Sequence, residues 1–223
     1  LTLGAVMAAG GYAEHVVCVT SSHFASAEKE FRFPLDYGNQ RPLSASWTVT
    51  GSGAFALGLN QKCRAHITGM TPGRIVDYGL KDSMNMGACM APAAADTIER
   101  HLEDFHVQPQ EYDRIITGDL GSVGQTVLID LLREKGIDIA GRHMDCGIEI
   151  FDAEAQDTHA GGSGCGCSAV TLAAYILPKL ESGEWKKVLF LPTGALLSKT
   201  SFNEGKSVPG IAHAVVLESP AVK

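Results

Sequence analysis

The sequence predicts an α/β protein in which helices cover a mixed, mostly parallel β-sheet. Short apolar runs at Arg114–Thr117 and Lys187–Leu191 have the length and composition of strands buried on both faces. Residues 93–105 have the period of an amphipathic helix, with charged side chains on one face and small apolar ones on the other. Strands that alternate with helices along a chain are typical of layered folds whose strands pair largely in parallel.

The first 59 residues predict helices and strands in turn. Residues 1–9 indicate the end of a buried helix, which a pair of glycines terminates. Residues 15–20 are rich in valine and predict a buried strand, and residues 26–31 predict a short helix. Residues 46–50 and 53–59 are strand-like, and the Gly-Ser-Gly segment between them indicates a bulge or a close approach of another backbone.

The rest of the chain continues this alternation. The order helix, strand, loop and final strand in residues 1–59 recurs between residues 168 and 217, which suggests two related halves. We predict strands at 64–69, 74–78, 114–117, 148–151, 187–191 and 212–217, and helices at 93–105, 122–135 and 169–177, the last capped by Ser168.

Composition and charge narrow the class of protein. The formal net charge is −7, from 25 acidic and 18 basic residues, and no lysine and arginine cluster indicates nucleic-acid binding. The cysteines are mostly scattered, which indicates a reducing, intracellular compartment. The apolar runs are too short for a transmembrane helix. The chain begins without methionine in what reads as the middle of a helix, so we expect it to be part of a longer protein.

A glycine-rich turn at residues 159–168 is the most distinctive stretch. Four glycines in six residues allow a sharp turn before a helix. Cys165 or Cys167 could serve as a nucleophile at the start of that helix, where the helix dipole favours a thiolate. The alternative is that these small side chains only pack in a tight place. The candidate bases are His23, His159 and His213.

The same turn permits two other kinds of site. A soft tetrahedral metal set could be assembled from His143, Cys146, Cys165 and Cys167, although Cys-x-Cys is tighter than the usual zinc spacing. The glycines could also cradle an anion, but no Lys-Ser/Thr pair follows them as in a P-loop.

Asp119 is the carboxylate best placed for a cleft. It follows the buried strand at Arg114–Thr117, where a side chain reaches the carboxyl edge of the sheet. General acid–base chemistry is one interpretation of Asp119. The other is a turn residue or an N-terminal cap for the next helix.

Distinctive short motifs occur along almost the whole chain. They are Thr20-Ser21-Ser22-His23, Ala27-Glu28 with Phe31-Arg32, Thr48-Val49-Thr50-Gly51-Ser52-Gly53-Ala54, Met90-Ala91-Pro92-Ala93-Ala94-Ala95-Asp96, Thr117-Gly118-Asp119-Leu120, Ala160-Gly161-Gly162-Ser163-Gly164-Cys165, and Thr193-Gly194-Ala195-Leu196-Leu197-Ser198. Together they closely resemble the stage V sporulation protein AD family, thiolase-like proteins of endospore-forming bacteria. The resemblance covers essentially all 223 residues.

The resemblance implies a thiolase-like, layered α-β-α fold of two similar βαβαβαββ halves. Residues 1–60 would then be the C-terminal remainder of the first half, and residues 61–223 would be the complete second half. The chain by itself would expose the inner face of one sheet and an edge strand. We therefore expect it to be unstable or oligomeric when isolated, with a homodimer as one such assembly.

The resemblance also implies that the acid–base residues of condensing enzymes are missing. Gly118 and Asp119 stand where such enzymes carry a catalytic histidine. The turn at 161–168 has neither the second histidine nor the asparagine, and the late glycine loop begins with Pro192 and Thr193. We therefore expect no condensing or thiolytic activity, no catalytic residues, and neither a metal nor a cofactor.

A cleft without those residues can still bind a ligand, and the resemblance implies that the ligand is dipicolinic acid (pyridine-2,6-dicarboxylic acid) or its calcium chelate. Hydroxyl donors and backbone amides suit a planar dicarboxylate. Asp119 would repel the free dianion but could help to hold the calcium chelate. The candidate ligand-binding residues are Ser21, Ser22, His23, Gly118, Asp119, Gly162, Ser163, Gly164 and Cys165.

The biological role implied by the resemblance is dipicolinate uptake into the developing spore and its release at germination. The implied partners are other stage V sporulation A proteins of the spore inner membrane, on which this protein would be peripheral. Two further functions stay open. One is an acyl-transfer or condensing enzyme with a non-standard set such as Asp119 and His23, and the other is a structural partner protein whose cleft binds nothing.

Overall fold

The computed structural model describes residues 1–26, 42–59 and 62–220. The predicted helix at 26–31, the motif at 27–32 and the boundary between residues 60 and 61 therefore lie wholly or partly outside the described residues. The division into two thiolase-like halves stays a prediction.

Helices and short strands alternate along the described chain. The strands are β1 His15–Ser22, β2 Trp47–Thr48, β3 Gly51–Gly58, β4 His66–Thr71, β5 Arg114–Thr117, β6 His143–Asp145, β7 Gly162–Ser163, β8 Lys187–Leu191, β9 Thr193–Ala195, β10 Gly210–Ala212 and β11 Ala214–Glu218. The helices are α1 Thr2–Ala9, α2 Met86–Phe105, α3 Gly121–Glu134, α4 Cys146–Glu149, α5 Ala153–Gln156, α6 Cys165–Thr171, α7 Leu177–Glu181 and α8 Lys199–Asn203, with a π-helical turn at Leu172–Ile176 between α6 and α7.

A five-stranded sheet in the order β4-β11-β8-β5-β6 forms the centre of the molecule. Strand β5 pairs in parallel with β6 and β8, whereas β11 is antiparallel to both β8 and β4. The mixed sheet and the helical layers confirm the predicted fold class. Parallel pairs do not predominate, however, because four of the seven strand pairs in the described residues are antiparallel.

The core lies on both faces of this sheet. Ile115 and Leu189 belong to the cluster that packs under α2 and α3. Ile116 and Phe190, the next residues of the same strands, belong to the cluster on the opposite face, under the π-helical turn. Since successive strand residues point to opposite faces, both faces of β5 and β8 are apolar. This is why these strands read as continuous apolar runs in the sequence.

A second sheet is formed by β1 and β3, which pair antiparallel with His15 opposite Gly58 and Ser22 opposite Gly51. Strand β1 is longer than predicted, so Ser21 and Ser22 belong to it rather than follow it. The prediction of a buried strand is wrong for one face, since Val17 and Val19 are 66% and 69% exposed. Helix α1 is likewise largely exposed, whereas a buried helix was predicted.

Several predicted elements differ from the structure, and helix capping accounts for two of the differences. Helix α2 begins seven residues before the predicted start at residue 93, since the Asn85 side chain accepts the Ala88 N–H. The predicted strand at 148–151 does not form, because helix α4, capped by Asp145, extends through Glu149 and a turn follows it. The predicted strand at 74–78 makes only the isolated bridge between Val76 and Gly210.

The helix after the glycine-rich turn begins at Cys165, so Ser168 is not its N-cap. Gly164, the N-cap, has a φ of 100°, a left-handed conformation that glycine adopts without strain. The Gly-Ser-Gly segment of β3 allows the close approach that was predicted. A Cβ at Gly51 or Gly53 would lie 2.7 Å from Val170 or 2.8 Å from Ala169, so α6 packs directly on β3.

Candidate functional site

A cavity of about 580 Å³ lies between β1, the glycine-rich turn and the loop that follows β8. Five of the predicted site residues line it, namely Ser22, Asp119, Ser163, Gly164 and Cys165. The other four, Ser21, His23, Gly118 and Gly162, are not among the described residues that line it. Ser21 and His23 are exposed. The structure thus brings residues of three distant segments together at one site.

The cavity wall is largely apolar, with hydroxyl groups and few ionisable ones. Its hydroxyls include residues that the sequence interpretation did not include as site residues, namely Thr20, Ser46, Thr48, Ser168 and Thr193. Within the described chain, no lysine or arginine side chain lines the cavity, and Asp119 is its one carboxylate. A fully ionised anion would therefore find no lysine or arginine side chain there, and His213 is the one histidine among the described lining residues.

Asp119 joins three turns of the chain. One carboxylate oxygen, Oδ2, accepts the Gly164 N–H at 3.0 Å, from the glycine-rich turn. The other, Oδ1, accepts the Thr193 hydroxyl at 2.9 Å, from the loop after β8. Each oxygen has a second lone pair, so the carboxylate can still bind another donor or a cation. The N-cap interpretation of Asp119 is wrong, because its side chain does not cap α3.

The environment of Asp119 disfavours its charged form. Burial raises the pKa of Asp119 to about 7, and the nearby Asp145 carboxylate adds to this, although the bonds from Gly164 and Thr193 oppose it. The side chain therefore changes charge close to neutral pH. A cation placed beside it would favour the ionised form.

A second carboxylate, Asp145, was missed by the sequence interpretation. It is 1% exposed and accepts the Thr117 hydroxyl at 2.6 Å and the N–H groups of Leu120, Gly121 and Gly147 at 2.9–3.0 Å. Asp145 thus holds the start of α3 and caps α4. The available signal was an aspartate two residues before a glycine, a pattern that suits a helix N-terminus.

The glycine-rich turn uses two of its amides within the protein. The Gly164 N–H binds Asp119, and the Gly166 N–H binds the Ser22 hydroxyl oxygen at 2.8 Å. Ser22 in turn donates to the Val49 carbonyl at 2.6 Å. These two N–H groups therefore fix β1 and the Asp119 turn against α6, and a ligand role for the turn stays a prediction.

The cysteines of the turn have different surroundings. Cys167 is buried, its Sγ lies 3.6 Å from the Gly118 carbonyl oxygen, and burial raises the pKa of its thiol far above the usual range. This favours the packing interpretation for Cys167. Cys165 is exposed and lines the cavity. Cys18, which was not considered, also lines it.

Of the candidate bases, His213 lines the cavity, whereas His23 and His159 are not among its described lining residues. The His213 Nδ1 accepts the Gly73 N–H at 3.0 Å, and His159 lies 2.9 Å from the Pro42 carbonyl. The metal set is not assembled, since no group of three or more His, Cys, Asp or Glu side chains in the described ranges could hold an ion. His143 contacts Thr117 and Gln125 instead, and burial lowers its pKa to about 4.

The fold is the thiolase-like fold of condensing enzymes. The structure superposes on a tetronic acid condensing enzyme with a TM-score of 0.58 and 15% identity, covering 97% of this chain and 63% of that one. It superposes equally well, with a TM-score of 0.58 and 12% identity, on 3-oxoacyl-(acyl carrier protein) synthase III of Pseudomonas aeruginosa PAO1, covering 100% of this chain and 63% of that one. Similarity at this identity shows the fold alone.

The sequence itself defines the family. The profile of the family "Stage V sporulation protein AD (SpoVAD)" matches residues 1–218. The chain is also 44% identical over 209 residues to the stage V sporulation protein AD of Bacillus subtilis (strain 168). The chain therefore belongs to the stage V sporulation protein AD family. The alignment covers 94% of this chain and 61% of that relative, so the chain spans less than two thirds of its length.

The length and composition of the helices give one further finding. Across residues 1–26, 42–59 and 62–220, no helix combines the length and the apolar character that a membrane span requires.

Proposed function

We propose that this protein binds dipicolinic acid, chiefly as its calcium chelate, and takes no catalytic part in acyl transfer. It would act in dipicolinate uptake into the developing spore and in release at germination. Its partners would be other stage V sporulation A proteins, and it would be peripheral on the spore inner membrane. Membership of the sporulation family supports the biological setting.

The observation that carries the proposal is the character of the cavity around Asp119. A half-buried carboxylate, several hydroxyls and an apolar wall surround about 580 Å³, with no lysine or arginine side chain among the described lining residues. Such a wall suits a planar ring whose negative charges are already neutralised by a cation. Calcium takes six to eight oxygen ligands, so a chelated ion retains positions for Asp119 and for hydroxyls.

Calorimetric titration of the full-length protein tests this proposal. We expect calcium dipicolinate to bind, and Asp119→Asn to weaken its binding about tenfold or more because the carboxylate ligand of calcium is lost. The matched control is Asp152→Asn, since Asp152 is an exposed aspartate that caps α5 and is not among the described residues that line the cavity. Unchanged affinity in Asp119→Asn would refute the site, and no binding by the wild-type protein would refute the function.

A second function, acyl transfer by a non-standard set of residues, is favoured by one observation. Two thiols, those of Cys18 and Cys165, line the same cavity as Asp119. Incubation of the full-length protein with acyl-coenzyme A, followed by mass spectrometry, separates the two functions. An acyl adduct on either cysteine supports the enzyme, and an unmodified protein supports the binding protein.

A further inference from the structure

A second concave region lies on the other side of strand β2. It is an open cleft of about 530 Å³, and Thr48 contributes to both this cleft and the cavity around Asp119. Its walls carry the aromatic side chains of Phe24, Trp47 and Phe151. All of its described lining residues are uncharged. The cleft is within the size range of small-molecule sites, about 300–1,000 Å³.

The cleft contains a buried hydroxyl group with an unmet hydrogen bond. Thr158 lines the cleft and is 3% exposed. Its Oγ1 has no hydrogen-bond partner within the part of the chain that the structure describes. A buried polar group without a partner costs roughly 1–3 kcal/mol of stability. The hydroxyl lies beneath the wall of the cleft, so a molecule that reaches it with a hydrogen-bond acceptor or donor would remove this penalty.

The aromatic walls are held in place before any ligand arrives. The rings of Phe24 and Trp47 stack with centroids 4.8 Å apart and an interplanar angle of 18°. The Trp47 Nε1–H donates to the Asp157 carbonyl at 3.1 Å, which fixes the orientation of the indole. A fixed aromatic face favours stacking with another ring, because little side-chain freedom is lost on binding.

The packing beneath the cleft is tight at Gly162. A Cβ at this position would lie 2.7 Å from the Ile150 side chain, 3.1 Å from Phe151 and 3.1 Å from Val49. All three neighbours line the cleft. The glycine therefore lets these side chains pack against the backbone of β7, where a larger residue would displace them.

We propose that this cleft is a second binding site, for an uncharged planar aromatic molecule whose polar edge hydrogen-bonds to Thr158. The absence of charged side chains from its described lining makes it unsuitable for the dipicolinate dianion. The site is independent of the function proposed for the cavity.

The experiment uses nicotinamide, an uncharged planar ring with a polar amide, titrated into the full-length protein with Trp fluorescence and calorimetry as readouts. We expect saturable binding, and Thr158→Val to weaken it about fivefold or more, as the loss of one hydrogen bond predicts. Thr158→Ser retains the hydroxyl and should bind within about twofold of wild type. Toluene lacks the polar edge and should bind the wild type and Thr158→Val equally.

Three outcomes would overturn the proposal. One is the absence of saturable binding by nicotinamide. Another is an affinity for nicotinamide that is equal in Thr158→Val and wild type, since the hydroxyl would then make no contact. The third is binding of an aromatic peptide but not of nicotinamide, which would indicate a protein partner. Dipicolinate should not compete with nicotinamide, so failure here leaves the test of the cavity unaffected.

Discussion

Two carboxylates in neighbouring turns of this molecule have contrasting surroundings. Asp145 is fully buried and accepts four hydrogen bonds, three of them from backbone N–H groups. Asp119 is half-buried, accepts one backbone N–H and one hydroxyl, and lines the cavity. The difference indicates that Asp145 stabilises the fold, whereas Asp119 retains unused acceptor capacity for a ligand.

The largest expected effect that tests this contrast is the loss of Asp145. Asp145→Ala leaves three buried backbone N–H groups without their acceptor, so we expect the free energy of unfolding to fall by about 3–5 kcal/mol in a urea titration. Asp152→Ala is the matched control, since it removes an exposed helix cap and should cost only about 1 kcal/mol. A loss in Asp145→Ala no larger than that of the control would contradict the structural role.

A smaller effect with a distinct pH dependence is expected at Asp119. Because its pKa is raised to about 7 in the folded protein, the folded state binds a proton more tightly than the unfolded state between about pH 4 and pH 7. The stability linked to this proton is present at low pH and is lost as the pH rises towards 7.

Asp119→Asn removes this titration and keeps two hydrogen bonds, since its amide oxygen can accept the Gly164 N–H and its NH₂ can donate to Thr193. We expect equal stability of the two proteins near pH 4, and a variant more stable by on the order of 2 kcal/mol at pH 8, after allowance for partial exposure. Urea titrations across this pH range measure the difference. A difference that does not vary with pH would show that Asp119 ionises normally.

The smallest expected effect concerns the hydroxyl that binds Asp119. Thr193→Val removes one hydrogen bond to the carboxylate, so we expect a loss of about 1 kcal/mol in stability and a further rise in the pKa of Asp119. Carbon-detected NMR of the carboxyl group measures this pKa. Thr193→Ser should leave both quantities near their wild-type values, and an equal pKa in all three proteins would show that the hydroxyl bond contributes little.

The bounds of two strands of the central sheet, β5 and β8, could be predicted to the residue from the sequence, whereas β11 was predicted at 212–217 and spans Ala214–Glu218. Strands β5 and β8 are apolar on both faces, and such runs have few other interpretations in a chain of this composition. Strand β1 was equally recognisable as a strand, but its burial was not. Its exposed residues Val17 and Val19 are as apolar as valines in a core. Their exposure depends on what packs against them, and the hydrophobic pattern of the sequence does not show this.

The candidate site was predicted in part. The end of a buried strand and a glycine-rich turn indicated Asp119, Gly164 and Cys165 as site residues, and these three line one cavity in the structure. Their role in ligand binding stays a prediction. The role of Asp145 could not be predicted in the same way, because three of its four donors, at the end of β5 and the start of α3, lie 24–28 residues away in sequence. The unmet hydrogen bond of Thr158 is likewise a property of the packed chain, since any threonine in a loop can meet its hydrogen bonds with water.

The π-helical turn at Leu172–Ile176 separates α6, whose first residues line the cavity, from α7. Each residue advances an α-helix by roughly 100°, so the extra residue in a π-turn rotates α6 relative to α7. Leu172 and Ile176 nevertheless both remain buried against the sheet. Deletion of one residue here would restore a regular helix and rotate α6, which carries the cavity-lining residues Cys165 and Ser168, by roughly 100° relative to α7. The angular position of the wall thus depends on chain length within one helix as well as on side-chain identity.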